Sequence, residues 1–272
     1  MTPQRPIAVE LEGATLQLGG RLLWQDLDLT IEPGSFVAVL GPNGAGKTTM
    51  LEVLLGLKGL TAGRVTVGGE APRRGDRRIG YVPQQRAFER GLPIRGRDLV
   101  RLGLDGPRFG FSRLQNHDRA EIDEALATVG ALGYADAPIG LLSGGEQQRL
   151  RIAQALLGDR SLLLCDEPLL SLDPSHQHEV TALLDRRRRE LGISVVFVTH
   201  EINPVLPYVD TVLYLTNGRW AAGPPNDIFT SERLSALYGT SIDVLRIRDR
   251  IVVVGADEED HACHPMHAAV DG

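Results

Sequence analysis

Residues 41–50, GPNGAGKTTM, decide the fold, because a glycine-rich loop joins a short apolar run to a helical run there. The stretch fits the pattern G-x-x-x-x-G-K-[ST] and follows FVAVL at 36–40, a continuous apolar run typical of a buried strand. Free backbone N–H groups at the helix start then face the phosphates of a nucleotide. The predicted nucleotide-binding residues are Gly41, Pro42, Asn43, Gly44, Ala45, Gly46, Lys47, Thr48 and Thr49.

Two residues of this loop and two further along the chain predict phosphate chemistry. Lys47 is expected to reach the β- and γ-phosphates, and the Thr48 hydroxyl to ligate Mg²⁺. The run LLLCDEP at 162–168 places Asp166 at a strand end, where it would hold the magnesium shell. Glu167 would polarise the attacking water. An Asp-Glu pair alone is explained as well by a solvated strand end, but the phosphate loop favours catalysis.

Apolar runs alternate with helical stretches along the rest of the chain. Strands are predicted at 8–11, 27–31, 36–40, 79–82, 162–165 and 193–198, and helices at 118–129, 145–157 and 175–191. Such alternation favours an α/β fold with a mainly parallel sheet covered on both faces. The stretch 85–157 lacks strong strand signals and is predicted to be a helical insertion.

Composition sets further limits. The 272 residues carry a net charge of −6, which gives no global electrostatic reason for nucleic-acid binding. Two cysteines suggest a reducing compartment, and no apolar run is long enough to span a bilayer. The first residues lack the apolar core of a secretion signal. Arginines at 73, 74, 77 and 78 and at 186–189 are predicted to be solvated and partly ion-paired.

A second glycine-rich stretch, LSGGEQQR at 142–149, makes the chain resemble the ATP-binding cassette (ABC) ATPases. In that family two cassettes dimerise head to tail with ATP between them. The resemblance implies that Ser143, Gly144 and Gly145 of one copy contact the γ-phosphate held by the Lys47 loop of the other. Two glycines at a helix start also allow such close approach. A local explanation also applies to this stretch, namely that Ser143 caps the start of a helix.

Three further motifs follow the order of the family. YVPQQ matches its glutamine loop, which implies that Gln84 senses Mg²⁺ and the attacking water. SLDP matches the loop through which two cassettes communicate, with Asp173 as its carboxylate. VFVTHE ends at His200, the expected switch histidine that contacts the γ-phosphate and supports Glu167. The resemblance spans roughly residues 9–237.

The resemblance implies a division of the chain. Residues 1–255 would form the cassette, a P-loop NTPase fold with a mainly parallel sheet, an antiparallel β arm and a helical signature subdomain. The nucleotide-binding core with its arm is expected at 1–84 and 158–240, the helical subdomain at 85–157 and a strand extension at 241–255. The acidic residues 256–272 are predicted to be a disordered tail.

One position departs from the family pattern. Leu18 stands where the family usually carries an aromatic residue that stacks on adenine, so that base stacking is lost. Trp24 lies several residues too late for this role and is expected to provide packing for the strand that follows it.

The expected role is that of a transporter motor. The chain has one cassette and no sustained heptads, whereas soluble machines of the family usually carry two cassettes or long coiled-coil insertions. Residues 86–101 and the stretch after His200 resemble the motors of zinc or manganese importers. A motor for iron chelates or cobalamin is the alternative. A soluble ATPase that acts on nucleic acid or ribosomes is a more remote alternative. Expected partners are a second copy, a membrane permease docking near 86–101 and, indirectly, a substrate-binding protein, but no nucleic acid. The chain would sit peripherally on the cytoplasmic face of the membrane.

The tail raises a separate possibility. His261, Cys263, His264 and His267 cluster behind acidic residues and could supply zinc ligands. Adjacent ligands and Pro265 would strain joint chelation, and a solvated tail without function is the alternative.

Overall fold

The computed structural model describes residues 7–84, 88–89, 91–105, 116–170 and 172–255. The elements in chain order are β1 Val9–Leu18, β2 Arg21–Ile31, β3 Phe36–Leu40, α1 Lys47–Leu54, β4 Ala62–Val67, β5 Ile79–Val82, α2 Gly96–Asp105, α3 Asn116–Thr128, α4 Gly144–Leu156, β6 Leu162–Asp166, α5 Pro174–Leu191, β7 Ser194–Val198, β8 Thr211–Thr216, β9 Arg219–Gly223, α6 Pro225–Ile228, α7 Ser231–Tyr238, β10 Ile242–Ile247 and β11 Arg250–Gly255.

The central sheet has six strands in the order β5-β6-β7-β3-β8-β9. The first five of these are parallel, and β9 is antiparallel to β8. Every residue of β3, β6 and β7 is buried, as their continuous apolar runs predict. Because the carboxyl ends of parallel strands share one edge, the loops after β3, β5, β6 and β7 meet there. The predicted α/β class is confirmed.

Alternate residues of the central strands contribute to two hydrophobic cores. Val37 and Val39 of β3 pack with α1 and the three-stranded sheet β2-β1-β4. Phe36 and Ala38 face the other core, to which the longer helices contribute. Trp24 is fully buried in the first core, so it does pack, although it lies within β2 and not before that strand. The three-stranded sheet is antiparallel, as the expected β arm is.

Strands β1 and β2 are much longer than the predicted segments 8–11 and 27–31, so those predictions were wrong in extent. Their outer parts carry alternating or irregular polar residues because one face is exposed, and register shifts interrupt β1 after Leu11 and Ala14. Apolar clustering therefore marked only the first residues of β1 and the last residues of β2. The stretch 85–157 contains α2, α3, α4 and two short 3₁₀ turns among its described residues. The proposed domain bounds remain a prediction.

The arginines at 186–189 end α5 and differ from one another. Arg187 pairs with Glu190 and Arg189 with Asp185, as the predicted ion-paired helix end requires. The prediction that these arginines are solvated is wrong for Arg188, because its side chain is only 11% exposed. Its guanidinium donates to Asp185, to Asp210 Oδ2 and to the Gly34 carbonyl oxygen, the latter two at 2.7 Å. It thus ties α5 to the start of β3.

The turn before β5 holds a buried carboxylate. Asp76, with its side chain 2% exposed, accepts hydrogen bonds from Arg78 Nη2 at 2.7 Å and from the Arg78 backbone N–H at 2.9 Å. Hydrogen bonding from Arg78 lowers the pKa of Asp76, although burial opposes the shift. Glu70 pairs with the same guanidinium at 2.9 Å. The turn is therefore fixed by charge-assisted hydrogen bonds.

We expect Asp76→Asn to lower the free energy of unfolding by about 2 kcal/mol at neutral pH, because it weakens hydrogen bonds to a charged partner. Since the folded pKa of Asp76 is depressed, its contribution is fully present above the unfolded pKa of about 3.9. It is lost as the pH falls through the folded pKa. Urea unfolding between roughly pH 2 and 7 should show a gap between wild type and variant that closes in acid. Asp249→Asn, in the exposed turn after β10, is the control, and a gap independent of pH would contradict the assignment.

Candidate nucleotide-binding site

The phosphate loop lies between β3 and α1, and its shape depends on glycine. Gly41 has φ 140° and Gly46 has φ 96°, both favourable only for glycine. A Cβ on Gly41 would collide with the Leu215 carbonyl oxygen, and one on Gly46 would lie 2.6 Å from the Trp24 ring. Within the described ranges no side chain caps the start of α1, so its first N–H groups can face an anion.

Lys47 begins α1 and is buried beneath the loop. Its ammonium group donates to the carbonyl oxygens of Gly41 at 2.7 Å and Pro42 at 3.1 Å. Burial lowers the pKa of Lys47, while the charges of Glu167 and Asp166 oppose that shift. The side chain thus curls along the loop, where it is placed to meet a bound polyphosphate.

Thr48 and Asp166 join the loop to the end of β6. The Thr48 hydroxyl donates to Asp166 Oδ1 at 3.1 Å, and Asp166 is buried. Burial raises the pKa of Asp166 and the charge of Glu167 adds to the rise, whereas the Thr48 hydrogen bond and Lys47 oppose it. This pair of hydroxyl and carboxylate oxygens fits Mg²⁺, which prefers oxygen ligands and would favour the charged carboxylate.

Glu167 stands between two other predicted residues. Gln84 Nε2 donates to Glu167 Oε2 at 3.1 Å, and His200 Nδ1 lies 3.7 Å from Glu167 Oε1. The three residues follow β5, β6 and β7, so the shared sheet edge brings them together. Glu167 has φ 46°, a strained value for a residue other than glycine, and its N–H donates to the Val198 carbonyl oxygen at 3.0 Å.

These residues border an open cavity of about 530 Å³. Its lining comprises Leu40, Gly41, Pro42, Asn43, Gln84, Glu167, Leu170, His200, Tyr214 and Tyr238. The hydroxyl groups of Tyr214 and Tyr238 lie 2.9 Å apart. Sequence analysis missed both tyrosines, because neither belongs to a short motif. Only the packing of α7 against the sheet brings Tyr238 to the cavity.

The second glycine-rich stretch lies elsewhere. Ser143 is the N-cap of α4 and forms a capping box with Glu146, whose N–H donates to Ser143 Oγ at 3.3 Å. The spacing S-x-x-E signals this box in the sequence, although only the capping serine was predicted. Ser143 and Gly144 are exposed, and in the part of the chain that the structure describes no residue of α4 lines the cavity. Within one chain, this stretch is not part of the nucleotide cavity.

Asp173 is also outside the cavity and has a local role as the N-cap of α5. It accepts hydrogen bonds from the backbone N–H groups of Ser175 at 3.0 Å and His176 at 3.2 Å. The contact with the His176 ring lowers the pKa of Asp173. Ser171, the first residue of the same SLDP motif, lies outside the described residues.

The predicted tail ligands His261, Cys263, His264 and His267 lie outside the described residues, as do three positions of the predicted docking stretch 86–101. Across the ranges that are described, no group of three or more histidine, cysteine, aspartate or glutamate side chains could hold a metal ion. The tail site therefore stays a prediction.

A phosphate loop after β3, an acidic strand end beside it and a mainly parallel sheet define the class of P-loop nucleotide-binding proteins. Residues 24–170 match the family model described as ABC transporter. The chain belongs to this family, and membership indicates an ATPase that binds ATP.

Curated relatives agree over most of the chain. The manganese transport system ATP-binding protein MntB of Halalkalibacterium halodurans is 35% identical over 82% of this chain and 88% of its own length. The zinc transport system ATP-binding protein TroB of Treponema pallidum is 33% identical over 97% of this chain and 96% of its own. The zinc import ATP-binding protein ZnuC of Halorhodospira halophila is 35% identical over 89% and 90%.

Solved structures show the same fold. An inward-facing ABC transporter described as of metal-chelate type superposes with TM-score 0.77 and 29% identity, covering 91% of this chain and 96% of that one. A dimeric ATP-binding cassette with ADP and phosphate gives TM-score 0.68 and 29% identity over 79% and 98%. Among the described residues, none of the helices combines the length and apolar content that crossing a bilayer requires.

Proposed function

We propose that the chain is the ATP-hydrolysing motor of an importer and drives a membrane permease for zinc or manganese. The observation that carries the catalytic part is the position of Glu167, whose carboxylate lies between Gln84 and His200 beside the phosphate loop. A carboxylate held in this way can accept a proton from a water attacking the terminal phosphate. The names of the relatives support the cargo.

The remaining residues take roles that follow from their positions. The loop N–H groups and Lys47 would hold the phosphates, and Thr48, Asp166 and Gln84 would hold Mg²⁺, which supplies charge neutralisation when bound. His200 would contact the γ-phosphate and orient Glu167. A second copy would bring its Ser143, Gly144 and Gly145 to the same nucleotide, with Asp173 at the contact between copies. Ser143 and Gly144 are exposed and do not line the nucleotide cavity of their own chain, and this supports the arrangement.

Attachment to the permease would place the motor peripherally on the cytoplasmic face of the membrane. We propose that the permease docks near residues 86–101 and receives its cargo from a substrate-binding protein. A motor for iron chelates or cobalamin is the second candidate, favoured by the metal-chelate type of one structural neighbour. The same catalytic residues would serve either cargo.

Uptake into vesicles tests this proposal. The chain would be purified with its permease, reconstituted with the matching binding protein and supplied with ATP on the motor side. We expect ATP-dependent accumulation of zinc or manganese, and none in a complex carrying Glu167→Gln. Accumulation of an iron chelate or cobalamin instead would support the second candidate. No ATP-dependent uptake of any of these by an ATP-hydrolysing complex would contradict the importer role.

A further inference from the structure

An arginine outside the motifs lies against the phosphate loop. The turn between β1 and β2 consists of Gly19 and Gly20, with φ 57° and 80°, and it pairs Leu18 with Arg21. A Cβ placed on Gly44 would lie 3.2 Å from Arg21 Nη1 and 3.8 Å from Arg21 Cζ. The guanidinium of Arg21 therefore lies alongside Gly44, where the absence of a side chain makes room for it.

Among the described residues, the side chain of Arg21 has no protein partner. Its side chain is exposed, and no hydrogen bond or ion pair joins it to another residue of the described ranges. Arginines elsewhere on the same sheet are used differently: Arg64 forms a two-pronged contact with both carboxylate oxygens of Glu12, each at 2.9 Å. An unneutralised guanidinium beside an anion-binding loop raises the positive potential where phosphates bind.

The chemistry of the guanidinium of Arg21 indicates that its ligand is a phosphate group. Its planar set of N–H donors matches the oxygens of a phosphate group and does not lose its charge at any physiological pH. Lys47 reaches the loop from beneath, hydrogen-bonded to the Gly41 and Pro42 carbonyl oxygens. Arg21 reaches it from the β1–β2 turn. The bound polyphosphate would thus meet cations from two directions.

We propose that Arg21 is a nucleotide-binding residue that contacts the polyphosphate of the bound nucleotide. The assignment rests on the proposed ATP site and adds a contact from the antiparallel sheet. That contact couples the position of the β1–β2 turn to the presence of nucleotide. Leu18, opposite Arg21, offers only an apolar side chain, so the charge of Arg21 is the main polar contribution of this turn.

Calorimetric titration of the full chain with ATP and Mg²⁺ tests the proposal. We expect Arg21→Gln to bind ATP about tenfold more weakly, because one charge-assisted contact is lost. Arg21→Lys should keep part of the affinity, since it keeps the charge but not the planar donor set. Arg64→Gln, which removes an arginine of the same sheet that is paired with Glu12, should bind ATP like wild type. Matching thermal unfolding of all variants without nucleotide would show that they fold alike.

The salt dependence of ATP affinity distinguishes a contact of Arg21 with the phosphates from a contact with the base. The tenfold gap should shrink when the ionic strength rises from about 0.05 to about 1 M, because the Debye length falls to about 3 Å. A gap that does not respond to salt would assign the contact to the base and overturn the proposal. Wild-type affinity in Arg21→Gln would overturn it too and leave the ATP site itself intact. Failure of the wild-type chain to bind ATP would instead contradict the proposed function.

Discussion

Glu167→Gln is expected to lower steady-state ATP turnover by about 10²–10⁴-fold, the usual cost of removing a general base. The amide has nearly the shape of the carboxylate and cannot accept the proton of the attacking water. Binding of ATP should survive, because the phosphate loop, Lys47 and Thr48 are unchanged. Turnover is measured as phosphate release, and affinity by calorimetric titration of the same preparation.

Two comparisons make the Glu167 result specific. Glu190→Gln removes a carboxylate that pairs with Arg187 at the end of α5, and it should leave turnover unchanged. Lys47→Ala should weaken ATP binding itself, so its loss of turnover has a different origin. If Glu167→Gln kept turnover within about threefold of wild type, Glu167 would not be the base.

Ser143→Arg is expected to abolish turnover while each chain still binds ATP. Ser143 is exposed at the start of α4 and outside its own cavity, so bulk and charge there should not disturb nucleotide binding in the same chain. They would block the approach of a second copy to the nucleotide. Turnover and affinity are measured as for Glu167→Gln.

Loss of the helix cap needs its own control, because replacing a capping serine costs about 1 kcal/mol. Thr230 caps α7 in the same way, accepting a hydrogen bond from the Arg233 N–H at 3.2 Å. Thr230→Arg therefore removes an equivalent cap and adds an equivalent charge outside the second glycine-rich stretch at 142–149. Equal loss of turnover in both variants would trace the effect to folding, and wild-type turnover in Ser143→Arg would refute the two-copy site.

Strands buried on both faces are the elements that the sequence predicts best. The boundaries of β3 match the apolar run at 36–40, and those of β6 and β7 lie within one residue of the runs at 162–165 and 193–198, because such strands need apolar side chains at nearly every position. β1 and β2 were predicted only in part, since one face is exposed and the alternation is broken by register shifts. Burial of Arg188 depends on Asp210 and Gly34, which are distant in sequence.

Some residues of the candidate site could also be predicted from the sequence, and others could not. Residues such as Lys47 and Thr48 were found because the loop pattern carries its own chemistry. Gln84, Glu167 and His200 were assigned from separate motifs, with His200 expected to support Glu167, and their closeness follows from strand order, which the sequence does not display. Arg21 and Tyr238 were missed because only tertiary packing brings them to the loop and cavity. Whether Ser143 meets a nucleotide depends on a second chain.

The molecular mass of Glu167→Gln with saturating ATP and Mg²⁺ tests most directly the central proposal that two copies share each nucleotide. Light scattering after size exclusion should give twice the 29.5 kDa mass of the chain with ATP and the single mass without it. The double variant Glu167→Gln/Ser143→Arg should remain a monomer under both conditions. A monomeric Glu167→Gln chain at ATP concentrations that saturate it would contradict the shared site.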